Sequence, residues 1–190
     1  MRSDEELMAA YVAGDRSSFD ELFRRYAPIL LSVLQRQMRS PSDARDLVQQ
    51  TFLQLHRARR DFDQKARLRP WLFTIALNLK REYFRRQKRR PEAPLELDGR
   101  SDPAVLPHDF TKDELDRTVR RAVDQLPADH REVIVLHWFE GLSFPEISAV
   151  VGASVSAVKV RAHRGYVALR KLLEPPTGNS PGSSGISGAG

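Results

Sequence analysis

The chain has 190 residues with a formal net charge of +6 and a pI near 10.0, and it contains no cysteine. The lack of cysteine excludes a disulfide framework and a cysteine-based zinc site, and it fits a reducing, cytoplasmic environment. The start, MRSDEELMAAY, is acidic where a secretory signal would be basic and then apolar, and the longest apolar runs fall far short of the ~18–20 residues that cross a bilayer. We therefore expect a cytoplasmic protein without membrane insertion, and the positive charge favours a polyanionic partner.

Helix starts are marked by Ser/Thr-x-x-Glu boxes, in which the hydroxyl accepts from a backbone N–H and the glutamate reaches back. The boxes are Ser3/Glu6, Ser18/Glu21, Thr111/Glu114 and Ser143/Glu146. Together with apolar residues repeating every 3.6 positions, they predict an all-α chain. The predicted helices cover 4–13, 18–38, 43–60, 70–88, 111–125, 128–139, 144–151 and 154–173.

The predicted helix 43–60 has one apolar side and one polar side. The apolar side consists of Ala44, Leu47, Val48, Phe52 and Leu55. The polar side carries Asp46, Gln49, Gln50, Leu53 and Arg57. Since most polar helix faces are only solvated, this pattern by itself indicates an amphipathic helix and no particular partner.

The end of the predicted helix 70–88 is strongly basic. The stretch 80–90 holds seven basic residues against one acidic residue, with Tyr83 and Phe84 between them. Aromatic side chains beside cations are typical of surfaces that bind unstacked bases, although the helix dipole also favours cations at this end. Asn78 is a poor helix former that either pairs with a base edge or makes a local hydrogen bond.

Three segments outside the helices have distinct compositions. The loop 61–69 carries Lys65, Arg67 and Arg69 and could hold a flipped base, although a solvated turn is the default. Segment 91–110 has four prolines and five acidic residues against one arginine, which predicts a flexible acidic linker. It divides the chain into two small helical domains, 1–90 and 111–174. The Gly/Ser/Pro-rich stretch 175–190 predicts a disordered tail.

The end of the second domain has the pattern of a helix-turn-helix. Gly152 suits the left-handed position after the helix 144–151, and Ser154 is a good N-cap for the next helix. That next helix has an apolar side made of Val158, Ala162, Tyr166, Leu169 and Leu173. Its other side presents Ser156, Lys159, Val160, His163 and Arg164, with Arg161 at the flank. This arrangement predicts a helix that enters the DNA major groove.

Over roughly residues 5–90 and 111–173, these segments together resemble the extracytoplasmic-function (ECF) class of bacterial RNA polymerase sigma factors. DARDLVQQTFLQLHRA resembles the segment that docks on the clamp helices of the largest polymerase subunit. PWLFTIALNLKREYFRR resembles the segment that melts and recognises the minus-ten promoter element. LPADHREVIVLHWFEGLSFPEISAVVGASVSAVKVRAHR resembles the domain that binds the minus-thirty-five element.

The resemblance implies a role for each surface. Polymerase binding would fall to Asp46, Gln49, Gln50 and Leu53, with Phe52 in the core of the same helix. Minus-ten recognition and melting would involve Lys65, Arg67, Asn78, Lys80, Arg81, Arg85 and Arg86. Minus-thirty-five recognition would involve Ser156, Lys159, Arg161, His163 and Arg164. The implied partners are core RNA polymerase (clamp helices and flap), promoter DNA and an anti-sigma factor, with no cofactor and no metal. The acidic linker would pass near the RNA exit path.

Three positions depart from the family pattern. Gln50 stands where the family commonly has an acidic residue, and Glu82 stands where it commonly has aspartate. Ala157 stands where threonine is frequent. These departures bear on promoter preference and leave the class unchanged.

Three other functions compete with a sigma factor. A free-standing repressor or activator would use only the helix-turn-helix, but it would need a dimer interface or a sensor domain. A sigma mimic would titrate an anti-sigma factor without binding DNA, which the basic residues on both surfaces disfavour. An enzyme is disfavoured because the five histidines show no metal-binding spacing and no nucleophile or phosphate-binding motif is present.

Overall fold

The computed structural model describes residues 2–38, 40–89 and 114–173, and these are helical apart from short connections. The first bundle comprises α1 (Asp4–Val12), α2 (Arg16–Gln35), α3 (Pro41–Ala58) and α4 (Leu68–Arg89). The second comprises α5 (Glu114–Asp124), α6 (Ala128–Ile134) with a π-helical continuation (Val135–Phe139), α7 (Phe144–Val151) and α8 (Val155–Leu173). The predicted all-α class and helix order are confirmed, with bounds shifted by at most three residues. The predicted linker and tail lie outside the described residues.

The capping boxes have different outcomes. At Ser3 and Ser143 both reciprocal hydrogen bonds form, so these two predictions are confirmed. The prediction at Ser18 is wrong. Asp15 caps α2 by accepting from the Ser17 N–H, and Ser18 is buried in the first turn, where its hydroxyl donates to Asp15 at 2.7 Å. The box at Thr111 lies outside the described residues.

The first bundle is built around long apolar side chains of α2, α3 and α4. The predicted apolar side of α3 is confirmed, because all five of its residues are buried. Thr51 completes this buried side by donating its hydroxyl to the Leu47 carbonyl at 2.7 Å, so no polar group is left unpaired there. The start of α4 is held by α1, since the Leu68 N–H donates to the Glu5 carboxylate at 3.0 Å. These contacts fix the direction in which the basic end of α4 leaves the bundle.

The second bundle contains the predicted helix-turn-helix. Helix α7 ends at Gly152, whose φ of 68° is the left-handed conformation that glycine adopts without strain. Ser154 then accepts from the Ala157 N–H at 3.2 Å and begins α8. Val158 and Ala162 of the predicted apolar side are buried, and Tyr166 and Leu169 are half-buried. Leu173 is exposed, because α8 extends past the helices that cover it.

The two bundles pack against each other along α4 and α7, and their buried side chains form one continuous apolar cluster. Polar contacts surround this packing. At its edge, Arg36 forms an ion pair with Asp124 at 3.3 Å, and Arg131 donates to the Arg36 carbonyl at 2.9 Å. The first and second bundles therefore make one closed body in this structure.

Candidate nucleic-acid interface

Helix α3 presents a polar surface that no other described helix covers. Asp46, Gln49, Gln50 and Arg57 are exposed, and Leu53 has 47% of its surface accessible. Phe52, on the opposite side, is buried and contacts Phe23 at a centroid distance of 4.6 Å. A rigid helix with an exposed leucine among amides and one carboxylate is suited to a protein partner.

Helix α8 presents the predicted DNA-facing side to solvent. Ser156, Lys159, His163 and Arg164 are all exposed. Arg161 is half-buried at the flank, where it lies 3.5 Å from the Asp129 carboxylate. Because the side chains at the beginning of such a helix reach base edges in the major groove, this surface is sterically available for DNA without rearrangement of its own bundle.

The basic end of α4 lines a groove of about 450 Å³. Its lining residues are Lys80, Arg81, Phe84, Arg85, Lys88 and Arg89. Lys88 and Arg89 were not predicted for this interface, although their helical spacing from Arg81 and Arg85 places them on the same side of α4. Five cations around one aromatic ring are suited to a single nucleic-acid strand.

Part of this basic surface is already engaged. Lys80 is 8% exposed, and its Nζ lies 2.5 Å from both the Gln37 amide oxygen and the Glu132 carboxylate. Arg81 donates one Nη to the Val150 carbonyl at 2.6 Å and the other to the Asn78 amide oxygen at 2.5 Å. Asn78 is exposed, so the local hydrogen bond occupies its oxygen without burying the side chain.

The other residues predicted for the minus-ten surface are exposed. Arg85 and Arg86 project from the last turns of α4, and Arg86 forms an ion pair with Glu82 at 2.5 Å. Lys65 lies in the loop before α4, where its N–H donates to Asp63 at 2.9 Å. Arg67, in the same loop, donates to both carboxylate oxygens of Glu146 at 3.0 and 3.3 Å. Of the predicted minus-ten residues, Lys80, Arg81 and Arg85 line the groove, whereas Lys65, Arg67, Asn78 and Arg86 are not among its lining residues.

The pKa values of two carboxylates in the second bundle are shifted in opposite directions. Burial raises the pKa of Glu140, and the Arg69 guanidinium at 3.6 Å opposes this only in part. Burial would also raise the pKa of Glu146, but hydrogen bonds from Ser143 and Arg67 outweigh it and leave that pKa lowered. Glu146 is therefore an anion both as the cap of α7 and as the partner of Arg67.

The second bundle carries an exposed aromatic pair that was not predicted to have a role. Trp138 is 68% exposed, and its indole N–H donates to the Tyr166 hydroxyl. The neighbouring Phe139 is exposed and lies 5.4 Å below the Arg120 guanidinium. The π-helical turn brings both rings outward, whereas an α-helical register was predicted here. Two large exposed rings on a small bundle indicate a contact surface for a protein.

Neither a metal site nor a membrane span is found in the described ranges. Within residues 2–38, 40–89 and 114–173, no group of three or more His, Asp or Glu side chains is placed to bind a metal ion. Among the same residues, no helix combines the length and apolarity that crossing a bilayer requires.

Two family models match the chain. The model of sigma-70 region 2 matches residues 22–90, and the model of sigma-70 region 4 matches residues 116–169. The first match contains the exposed α3 side and the basic end of α4, and the second contains the helix-turn-helix.

Individual proteins of this class match over nearly the whole chain. The RNA polymerase sigma factor CarQ of Myxococcus xanthus is 40% identical over 166 residues, which are 87% of this chain and 95% of CarQ. The ECF RNA polymerase sigma factor SigM of Mycobacterium tuberculosis is 35% identical, over 90% of this chain and 85% of SigM. The sigma factor RpoE of Bartonella quintana, solved in complex with the anti-sigma factor NepR, superposes with a TM-score of 0.68 at 26% identity, over 82% of this chain and 96% of that chain.

The fold and the matched regions define a transcription initiation factor. The chain belongs to the ECF class of RNA polymerase sigma factors, as the sequence resemblance implied. It binds core RNA polymerase and directs initiation at specific promoters.

Proposed function

We propose that three separate surfaces divide the work of initiation. The exposed side of α3, with Asp46, Gln49, Gln50 and Leu53, binds the clamp helices of the polymerase. The loop before α4 and its basic end, with Lys65, Arg67, Asn78, Lys80, Arg81, Arg85 and Arg86, bind the opened minus-ten strand. The exposed side of α8, with Ser156, Lys159, Arg161, His163 and Arg164, binds the minus-thirty-five element. The observation that carries this proposal is that one small chain combines the exposed side of α3, including Leu53, with two exposed basic helix surfaces on α4 and α8.

Under this proposal the polymerase supplies the missing affinity. Each bundle alone offers only a few charged contacts, which give weak and salt-sensitive binding. When the polymerase holds both bundles at a fixed spacing, the second contact becomes intramolecular and its effective concentration rises. Melting costs a few kcal/mol for each unstacked step, and stacking of a freed base on an aromatic side chain offsets it. Phe84, in the basic groove, is placed for that stacking.

The exposed aromatic pair of the second bundle is the surface we assign to the polymerase flap. Trp138 is 68% exposed and Phe139 is 37% exposed, and adjacent exposed aromatic rings are suited to a protein contact. They lie at the end of the π-helical segment Val135–Phe139, where Trp138 contacts Tyr166 of α8.

Regulation by an anti-sigma factor is supported by the likeness to RpoE, which was solved with such a partner. We propose that this chain is controlled in the same way, that it works in the cytoplasm and that it catalyses no reaction itself. The domain division at 91–110 follows the gap between the two matched regions.

Reconstituted transcription tests the proposal directly. Purified core RNA polymerase with this chain is expected to initiate from a subset of a random promoter library, whereas core alone gives no such subset. Footprinting without polymerase serves as the control, because a free-standing repressor would protect its site unaided. A factor that adds no initiation to core would overturn the proposal.

A further inference from the structure

Val160 lies at the centre of the DNA-facing side of α8. Its side chain is 49% exposed. Each residue of an α-helix is turned by about 100° from the one before it, so residues two positions apart point in nearly opposite directions. Val158 and Ala162, each two positions from Val160, are both buried in the apolar core. Val160 therefore occupies the part of α8 that projects farthest from its own bundle.

Polar and charged side chains surround this valine on the helix surface. Ser156 lies one turn before it, and His163 and Arg164 lie one turn after it. All three are exposed, and so is the neighbouring Lys159. A recognition helix meets base edges through the exposed side of its N-terminal half, while cations around that side bind phosphates. Val160, in the second turn of α8, is placed to meet a base edge.

The chemistry of valine restricts which base edge it can meet. The C5 methyl group of thymine is the apolar group that the four base pairs present in the major groove. A valine side chain neither donates nor accepts a hydrogen bond, so against a base nitrogen, oxygen or amino group it would displace water without replacing its bonds. Against the methyl group it buries apolar surface on both partners. An exposed valine at this position therefore favours thymine.

We propose that Val160 selects a thymine in the minus-thirty-five element by packing on its C5 methyl group. This inference rests on the proposed DNA role of α8 and adds a base preference to it. Lys159 and Arg164 supply affinity, whereas Val160 distinguishes one base pair from the other three at a single position of the element.

The first test uses DNA selected by the factor itself. Promoters that core polymerase with this chain initiates from a random library are expected to share a thymine at one fixed position of the minus-thirty-five element, on either strand. Uracil in place of that thymine removes only the C5 methyl group and keeps the base pair. We expect this replacement to weaken binding of the duplex promoter by the holoenzyme about fourfold, since one carbon group is left in water. Competition binding measures the change.

The second test separates the contact of Val160 from other effects of the methyl group. The holoenzyme carrying Val160→Ala is expected to bind thymine and uracil promoters equally, because the double-mutant cycle removes both partners of one contact. Val167→Ala is the matched control. Val167 is 44% exposed on the same side of α8, but it lies seven residues, or about 10 Å, farther along the helix. This variant should keep the fourfold preference of the parent.

The outcomes distinguish this inference from the proposed function. A parent holoenzyme that initiates transcription but shows no uracil effect at any thymine of the element would overturn the role of Val160 alone. So would a Val160→Ala variant that keeps the fourfold preference. A parent chain that adds no initiation to core polymerase would overturn the proposed function, and the inference with it.

Discussion

Gly165 of α8 packs directly on Ile134 of α6. A Cβ atom placed on Gly165 would lie 2.8 Å from Cγ1 and 3.2 Å from Cδ1 of Ile134, inside van der Waals contact. The absence of a side chain at this position thus sets how closely α8 approaches α6.

Gly165→Ala is expected to lower the free energy of unfolding by about 1 kcal/mol. Overpacking costs about 1–3 kcal/mol, and the better helix propensity of alanine returns about 1 kcal/mol. Urea denaturation followed by circular dichroism measures the change. Val167→Ala, at an exposed position of the same helix, is the control and should change stability little. A gain in stability from Gly165→Ala would contradict the close packing.

The cap of α2 is expected to make stability depend on pH in acid. Hydrogen bonds from Ser17 and Ser18 lower the pKa of Asp15, so its contribution is complete above the ordinary aspartate pKa of about 4 and is lost as the pH falls below it. Asp15→Ala should therefore destabilise the chain at neutral pH, and the difference from the parent should shrink in acid. Denaturation curves at several pH values measure this. Asp20→Ala, an exposed carboxylate further along α2, is the control. A difference that grows in acid would refute the assignment.

Lys159→Ala with Arg164→Ala is expected to reduce initiation from minus-thirty-five-dependent promoters by tenfold or more. Each lost base or phosphate contact costs about 1–3 kcal/mol, while the exposed positions leave the fold intact. Reconstituted transcription measures the loss, and binding to core polymerase should stay unchanged. Lys171→Ala, an exposed cation near the end of α8, is the matched control. Undiminished initiation would place the minus-thirty-five contact on other residues.

Leu53→Glu is expected to weaken association with the isolated clamp coiled coil of the polymerase by tenfold or more. Its leucine is 47% exposed, so the substitution disrupts a protein contact and leaves the core of α3 untouched. Calorimetry with the coiled coil measures the affinity. Leu172→Glu makes the same change at a leucine that is 43% exposed in the second bundle, and it should have no effect. Equal affinities for the two variants would place the contact elsewhere.

Much of this architecture could be predicted because the signals are local. The Ser143/Glu146 box, Gly152 and Ser154 each act on backbone groups within a few residues, and the structure shows the bonds they predict. The apolar side of α3 follows from its spacing alone, since a helix that buries one side repeats every 3.6 residues. Local signals did not identify Asp15 as the cap of α2, because both Asp15 and Ser18 are residue types that cap helices well.

Tertiary contacts decided the rest. Glu132 is 52 positions from Lys80, and the Glu5 carboxylate that receives the first N–H of α4 is 63 positions from Leu68. The sequence shows that Lys80 belongs to a basic helical segment, and this segment is one of those that identify the class of protein. Whether that charge faces DNA or a carboxylate depends on which helices meet, because burial and ion pairing are properties of segments brought together by the fold.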